Sequence, residues 1–214
     1  MKFLLLGSGD IARKCIESYL KKNSTKNELI ALIGDQQCYE LLHNNGNIRC
    51  ELFDGKEKTE IVINEIIHNL QPDFVLSVQY PWIISSRILA LLPNSIFNIH
   101  NAKLPEYRGH HTISYEIIND EKTHVSTLHI ISKEVDRGYI VNTRKTGIYN
   151  NDTAFSLWQR SSLKCVELFN WLITELDSID IKRFSPVKSG GHFYSRFLID
   201  SKKNVPINSS NEVK

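Results

Sequence analysis

Over the first hundred residues, short apolar runs alternate with longer segments in which apolar positions return every three or four residues. That is the pattern of strands joined by helical crossovers, and it predicts a parallel sheet. Residues 3–6 are apolar without a break, as a strand covered on both faces is. Gly7-Ser8-Gly9 then turns the chain into a helix over 11–21. The same reading places strands at 29–33, 48–53 and 74–79 and helices at 36–45 and 59–70, the last stopped by Pro72. Pro81 and Pro93 bracket a short helix over 85–91, and residues 95–100 return as a strand.

Beyond residue 100 a polar loop with Pro105 and Gly109 leads to a helix over 112–118. Two strand-like runs, 125–131 and 139–146, flank a polar turn around Asp136 and Gly138 and read as a hairpin. Phe155, Trp158, Val166, Phe169, Ile173 and Leu176 recur at helical spacing along a long helix that starts at Thr153, with Asp152 as its cap and Ser162 breaking the stripe. After Pro186, Gly190-Gly191 sits between strand-like, aromatic flanks, which predicts a second, C-terminal hairpin. The expected architecture is an α/β, Rossmann-like open sheet, mostly parallel, with flanking helices and a small C-terminal β-hairpin extension. The expected units are a main domain over 1–178, the hairpin extension over 179–200 and a flexible tail over 201–214.

Composition narrows the function classes. The 214 residues suffice for one well-cored domain, and Lys plus Arg exceed Asp plus Glu only by 26 to 24. No strong field draws the chain to nucleic acid or to an anionic membrane. The apolar run at 3–6 is too short for a signal-peptide core, and charges interrupt every run before the roughly 20 residues a membrane span needs. A cytoplasmic protein is expected. Cys15, Cys38, Cys50 and Cys165 are widely spaced, without zinc-site clustering, and read as free thiols, with no metal.

The chemistry concentrates after residue 94. Alternation along the strand at 95–100 puts Asn98 and His100 on one face and Phe97 and Ile99 on the other, at the carboxyl end where open α/β sheets bind ligands. His100 as a satisfied strand-end histidine is the competing reading. Asp136, in Glu134-Val135-Asp136-Arg137-Gly138, also has an ordinary turn reading, because its carboxylate can bond nearby amides. Spacing alone does not join Asp136 to His100. Gly7-Ser8-Gly9 opens GSGDIA, an approximation of G-x-G-x-x-A that would let a dinucleotide approach a helix start; a structural turn is the alternative. His110, His111 and Arg196 read as solvated surface residues.

Residues 97–141, FNIHNAKLPEYRGHHTISYEIINDEKTHVSTLHIISKEVDRGYIV, combine an N-x-H strand end, an L-P-x-Y-R-G loop and a D-x-G turn. Together these resemble the core of the folate-dependent formyltransferases, and a weaker similarity runs from residue 1 to about 176. The resemblance implies that Asn98, His100 and Asp136 are catalytic and that N10-formyltetrahydrofolate is the cosubstrate. It places the folate at Ser77, Val78, Gln79, Tyr80, Pro81 and Trp82, where backbone groups would read the pterin edge and two aromatics would wall it. Packing is the competing role for Tyr80 and Trp82. Gly9, Lys103, Tyr107 and Arg108 are the expected acceptor-binding positions.

Only about forty residues follow the long helix, too few for a basic tRNA-binding domain. The HNAKLPEYRGHH stretch departs from the loops of glycinamide ribonucleotide transformylases and is similar to those of compact sugar N-formyltransferases. That similarity implies an acceptor such as dTDP-4-amino-4,6-dideoxyglucose, a role in lipopolysaccharide O-antigen biosynthesis, and a homodimer paired through the C-terminal hairpin at Phe193, Tyr194 and Phe197. Glycinamide ribonucleotide is the alternative acceptor. From other classes, a NAD-dependent oxidoreductase using the GSG loop and a noncatalytic interaction protein stay open.

Overall fold

The computed structural model describes residues 1–22, 26–176, 184–186 and 190–195. Strands β1 (Lys2–Gly7), β2 (Glu28–Gly34), β3 (Arg49–Leu52), β4 (Phe74–Val78) and β5 (Ile96–His100) are joined through helices α1 (Gly9–Leu20), α2 (Gln36–Leu42), α3 (Gly55–Leu70) and α4 (Ser86–Leu91). All five strands run parallel, in the order β3-β2-β1-β4-β5. The order reverses beside β1, so a crevice opens between the carboxyl ends of β1 and β4, where open sheets of this kind bind ligands. The short strand β6 (Tyr107–Gly109) and helix α5 (Thr112–Ile118) follow β5. β7 (Thr123–Ile130) then pairs antiparallel with β5, and β8 (Tyr139–Gly147) antiparallel with β7.

Each face of the sheet has its own apolar layer. Phe3, Leu5, Phe74, Leu76, Phe97 and Leu128 pack against α1 and the long helix α6 (Ala154–Glu175), with Phe169 at its centre. Leu4, Leu6, Val75 and Ile96 pack against Ile63, Ile66 and Ile67 of α3 and Ile88 of α4. The unbroken run at 3–6 is therefore buried on both sides, as a central parallel strand requires. Ser162, the interruption in the α6 stripe, lies where α1 crosses and accepts a hydrogen bond from Lys14 Nζ at 3.1 Å.

Two expectations need correction. Thr153, not Asp152, caps α6: its hydroxyl accepts from Ser156 N–H at 3.1 Å and Ser156 Oγ returns the bond. Asp152 instead ties the preceding turn to the helix, through Tyr149 N–H at 2.8 Å and the Arg160 guanidinium. Among the described residues, the strands flanking Gly190-Gly191 do not pair with each other, and the rest of the expected hairpin lies outside the described residues. β9 (Ser185–Pro186) adds to β8 at the sheet edge, and β10 (His192–Tyr194) runs parallel to β6 in a separate two-stranded sheet. Tyr194 is consequently engaged within its own chain, while Phe197, Arg196 and the 201–214 tail lie outside the described residues.

The four cysteines are free thiols. Among the described residues no helix is long and apolar enough to cross a membrane.

Candidate active site

Asn98 and His100 project from β5 onto the α3/α4 face of the sheet, while Phe97 and Ile99 enter the opposite layer, as strand alternation dictates. The parallel neighbour β4 sets Ser77 beside Asn98, and the antiparallel neighbour β7 sets His129 opposite it. Ser77 Oγ donates to Asn98 Oδ1 at 2.9 Å, and Asn98 Nδ2 lies 3.1 Å from His129 Nε2. His129 Nδ1 lies 3.1 Å from the Ile130 carbonyl, which can only accept, so the ring proton sits on Nδ1 and Nε2 accepts from Asn98. Burial pushes the His129 pKa down to about 4, which keeps that ring neutral at physiological pH. The Asn98 amide is thereby fixed in orientation, with one of its two N–H groups still to place.

Asp136 reaches the same point from the turn between β7 and β8. It adopts the left-handed region (φ 54°), and two residues on, any Cβ at Gly138 would collide with the Ile130 carbonyl. Only glycine lets the chain pass so close to the end of β7, which is the physical content of the D-x-G pattern. Asp136 Oδ1 lies 3.7 Å from His129 Nε2, and Oδ2 accepts from Gly109 N–H at 3.1 Å. Burial raises its carboxyl, but His100, His129, the Gly109 amide and Arg108 outweigh that and hold it below the ordinary carboxylate range. Its side chain is 11% exposed, so the carboxylate is ionised in a largely dry setting. His100 Nε2 lies 2.9 Å from the Tyr107 carbonyl and must donate to it, which leaves Nδ1 for chemistry. The His100 and His129 rings meet edge-on at 6.5 Å.

The three expected groups therefore converge, and His129, which the sequence reading passed over, joins them. Other expected site residues have structural work. Gln79 Oε1 accepts from Ile11 N–H at 3.0 Å, and its carbonyl accepts from Ser8 Oγ. The Val78 carbonyl accepts from Ser8 N–H at 3.1 Å. Those groups tie the end of β4 to the GSG turn. Tyr80 and Trp82 form a three-ring cluster with Phe53, all centroids 5.5–5.6 Å apart, and Pro81 between them is exposed. Gly9 N–H donates to Asp35 Oδ2 at 2.6 Å, so two amides at the start of α1 already have partners within the chain. The GSG turn thus does not present those two donors to an anion. Lys103 pairs with Glu106 at 3.1 Å. The Tyr107 side chain is buried away from the site, its hydroxyl donating to Glu121 at 2.8 Å. Arg108 lies over the Phe193 ring at 6.0 Å.

An amide, an imidazole and an ionised carboxylate gathered on β5 and the turn after β7 of an open α/β sheet are groups suited to general acid–base chemistry. Among the described residues no group of three His, Cys, Asp or Glu side chains is disposed to hold a metal.

Residues 1–170 match the family model described as "Formyl transferase", and the chain belongs to that family. Its fold is similar to that of glycinamide ribonucleotide transformylase 1 from Symbiobacterium toebii, at 18% identity and TM-score 0.76, over 88% of this chain and 94% of that one. Phosphoribosylglycinamide formyltransferase from Bacillus halodurans aligns at 24% identity and TM-score 0.73, over 83% and 96%. A formyltetrahydrofolate deformylase from Pseudomonas syringae pv. tomato aligns at 15% and 0.74, over 87% and 66%.

Proposed function

We propose that the chain transfers the formyl group of N10-formyltetrahydrofolate to the primary amine of a phosphorylated acceptor. The observation that carries this reading is the convergence of Asn98 and His100 of β5 with Asp136 of the turn after β7, in a member of the formyl transferase family. A neutral amine attacks the formyl carbon, a C–N bond forms, and the carbonyl oxygen becomes an oxyanion. The unassigned Asn98 N–H and a proton on His100 Nδ1 supply donors to that oxygen. The bond from carbon to N10 then breaks, and the amine proton passes to the folate nitrogen through His100, Asp136 or water. Asp136 holds the charge that forms on the imidazole.

Two acceptors fit. Glycinamide ribonucleotide is favoured by the structural neighbours, two of which carry that activity in their names and are covered almost end to end. A nucleotide-linked amino sugar is favoured by the sequence of the loop after β5, HNAKLPEYRGHH. Incubating the purified protein with N10-formyltetrahydrofolate and each acceptor separately, then weighing the products, decides between them. Formylation of neither those two nor a wider amine panel would remove the proposal.

A further inference from the structure

β6 touches both halves of the site. Its Tyr107 carbonyl receives His100 Nε2–H, and its Gly109 amide donates to Asp136. Its Arg108 adds positive charge beside the same carboxylate. A three-residue strand following a polar loop has little of its own to keep it in place. Tyr107 is anchored at one side by Glu121 and Asn119, and β10 runs along the outer edge of the strand with His192 opposite Tyr107, Phe193 opposite Arg108 and Tyr194 opposite Gly109. His192 N–H donates to the Glu106 carbonyl at 3.0 Å, and His110 N–H to the Tyr194 carbonyl at 2.8 Å. The Tyr194 ring is stacked between Tyr107, at 5.6 Å and 11°, and Tyr115 of α5, at 4.1 Å and 25°. β10 lies beyond residues 1–170, outside the part of the chain that the family model matches.

We propose that β10 is a positioning strap, in which Tyr194, locked between Tyr107 and Tyr115, fixes β6 from behind and so sets the Gly109 amide against Asp136 and the Tyr107 carbonyl against His100. Tyr194 touches no reacting atom in this scheme. It acts through β6, and the effect on turnover rests on the formyl-transfer reading above. A displacement of about 1 Å at a reacting group can cost 10²-fold in rate, so a loosened β6 is a catalytic lesion even where the fold survives.

The groups facing the Asp136 carboxylate are His100 from β5, His129 from β7, and Arg108 with the Gly109 amide from β6. Withdrawing the two β6 contributions removes stabilisation of the ionised form, so Asp136 should titrate at higher pH. Tyr194→Phe keeps both ring contacts and gives up only a hydroxyl 3.5 Å from Asn119 Nδ2. Tyr194→Ala removes the stack. Gly191→Ala displaces β10 without touching the rings, because Gly191 sits at φ +69° with its Cβ position against the Pro105 carbonyl.

The test measures kcat, KM and the acid limb of the kcat profile in all three variants. It adds two readouts on the free protein that need neither folate nor acceptor: exchange of the Gly109 amide, and the carbon-13 titration of Asp136. Tyr194→Ala and Gly191→Ala should lower kcat by about 10- to 100-fold with KM little changed. Both should also speed Gly109 exchange and move the Asp136 titration and the acid limb to higher pH, with Tyr194→Phe close to the parent. A protein that formylates nothing but shows these shifts keeps the strap and overturns the functional reading. If either displaced variant folds and leaves Gly109 exchange, the titration and kcat unchanged, losing at most melting temperature, the strap is overturned. If Tyr194→Phe falls as far as Tyr194→Ala, the ring stack is not what holds β6 and the proposal fails in this form.

Discussion

His129 shows what a single side chain contributes when its protonation is fixed by burial. As a neutral acceptor it orients the Asn98 amide, and that neutrality has a measurable cost in acid. Its folded pKa lies below the ordinary value of 6.5, so the unfolded chain binds the proton first. The associated stability is complete above about pH 6.5 and is lost as the pH falls toward 4, by roughly 3 kcal/mol in all. Urea unfolding of the parent and of His129→Gln across that window should show the steeper acid loss in the parent. Equal slopes would mean that His129 is not held neutral. For the proposed chemistry, Asn98→Ala and His100→Ala should each lower turnover about 10²–10³-fold while the melting curve stays close to the parent's. Near-parental kcat in both would displace the oxyanion assignment. The sequence made Asn98 and His100 legible because strand alternation is local. It could not show His129, whose place depends on the antiparallel register that sets it opposite Asn98, a pairing of positions 31 residues apart.

At the scale of elements, every strand and helix read from periodicity up to residue 147 is present, with ends that differ by a few residues. The strand that periodicity missed is β6, three residues long and too short for alternation to register. Gly190-Gly191 between aromatic flanks satisfied the local signature of a hairpin, but the flanking strands found non-local partners with more to offer: the edge of β8 for one, β6 and two tyrosine rings for the other. The cap of α6 was misplaced by one residue because Asp152 and Thr153 are both good cap formers, and Arg160 claimed the aspartate. Thr153→Ala should therefore cost about 1 kcal/mol in denaturant unfolding, the usual effect of deleting a cap. Gly138→Ala should do more than destabilise. With the Ile130 carbonyl in the way of its Cβ, the turn must shift, and Asp136 with it, so turnover should fall along with stability. An active variant with parental kinetics would show that the turn tolerates displacement.

For the whole molecule, the decisive feature is where the parallel sheet gives way to antiparallel pairing. β5 is parallel to β4 on one side and antiparallel to β7 on the other, so Ser77, Asn98, His129 and the Asp136 turn meet at one corner without any long connection. The crevice beside β1, where a nucleotide would otherwise be sought, is laced by Asp35 and Gln79. Asp35→Ala together with Gln79→Ala would free two amides at the start of α1, and the double variant should bind inorganic phosphate more tightly than the parent by calorimetry. No gain would mean that other groups close the turn.

The central position of β1 also has a consequence in time. It is hydrogen-bonded on one edge to β2 and on the other to β4. The second partner follows it by roughly 70 residues, several seconds of synthesis at 5–20 residues per second. Through that interval Phe3, Leu4, Leu5 and Leu6, each fully buried at the end, leave the ribosome as an apolar strand with an open edge. The innermost strand of the sheet thus keeps an open edge until β4 has been made.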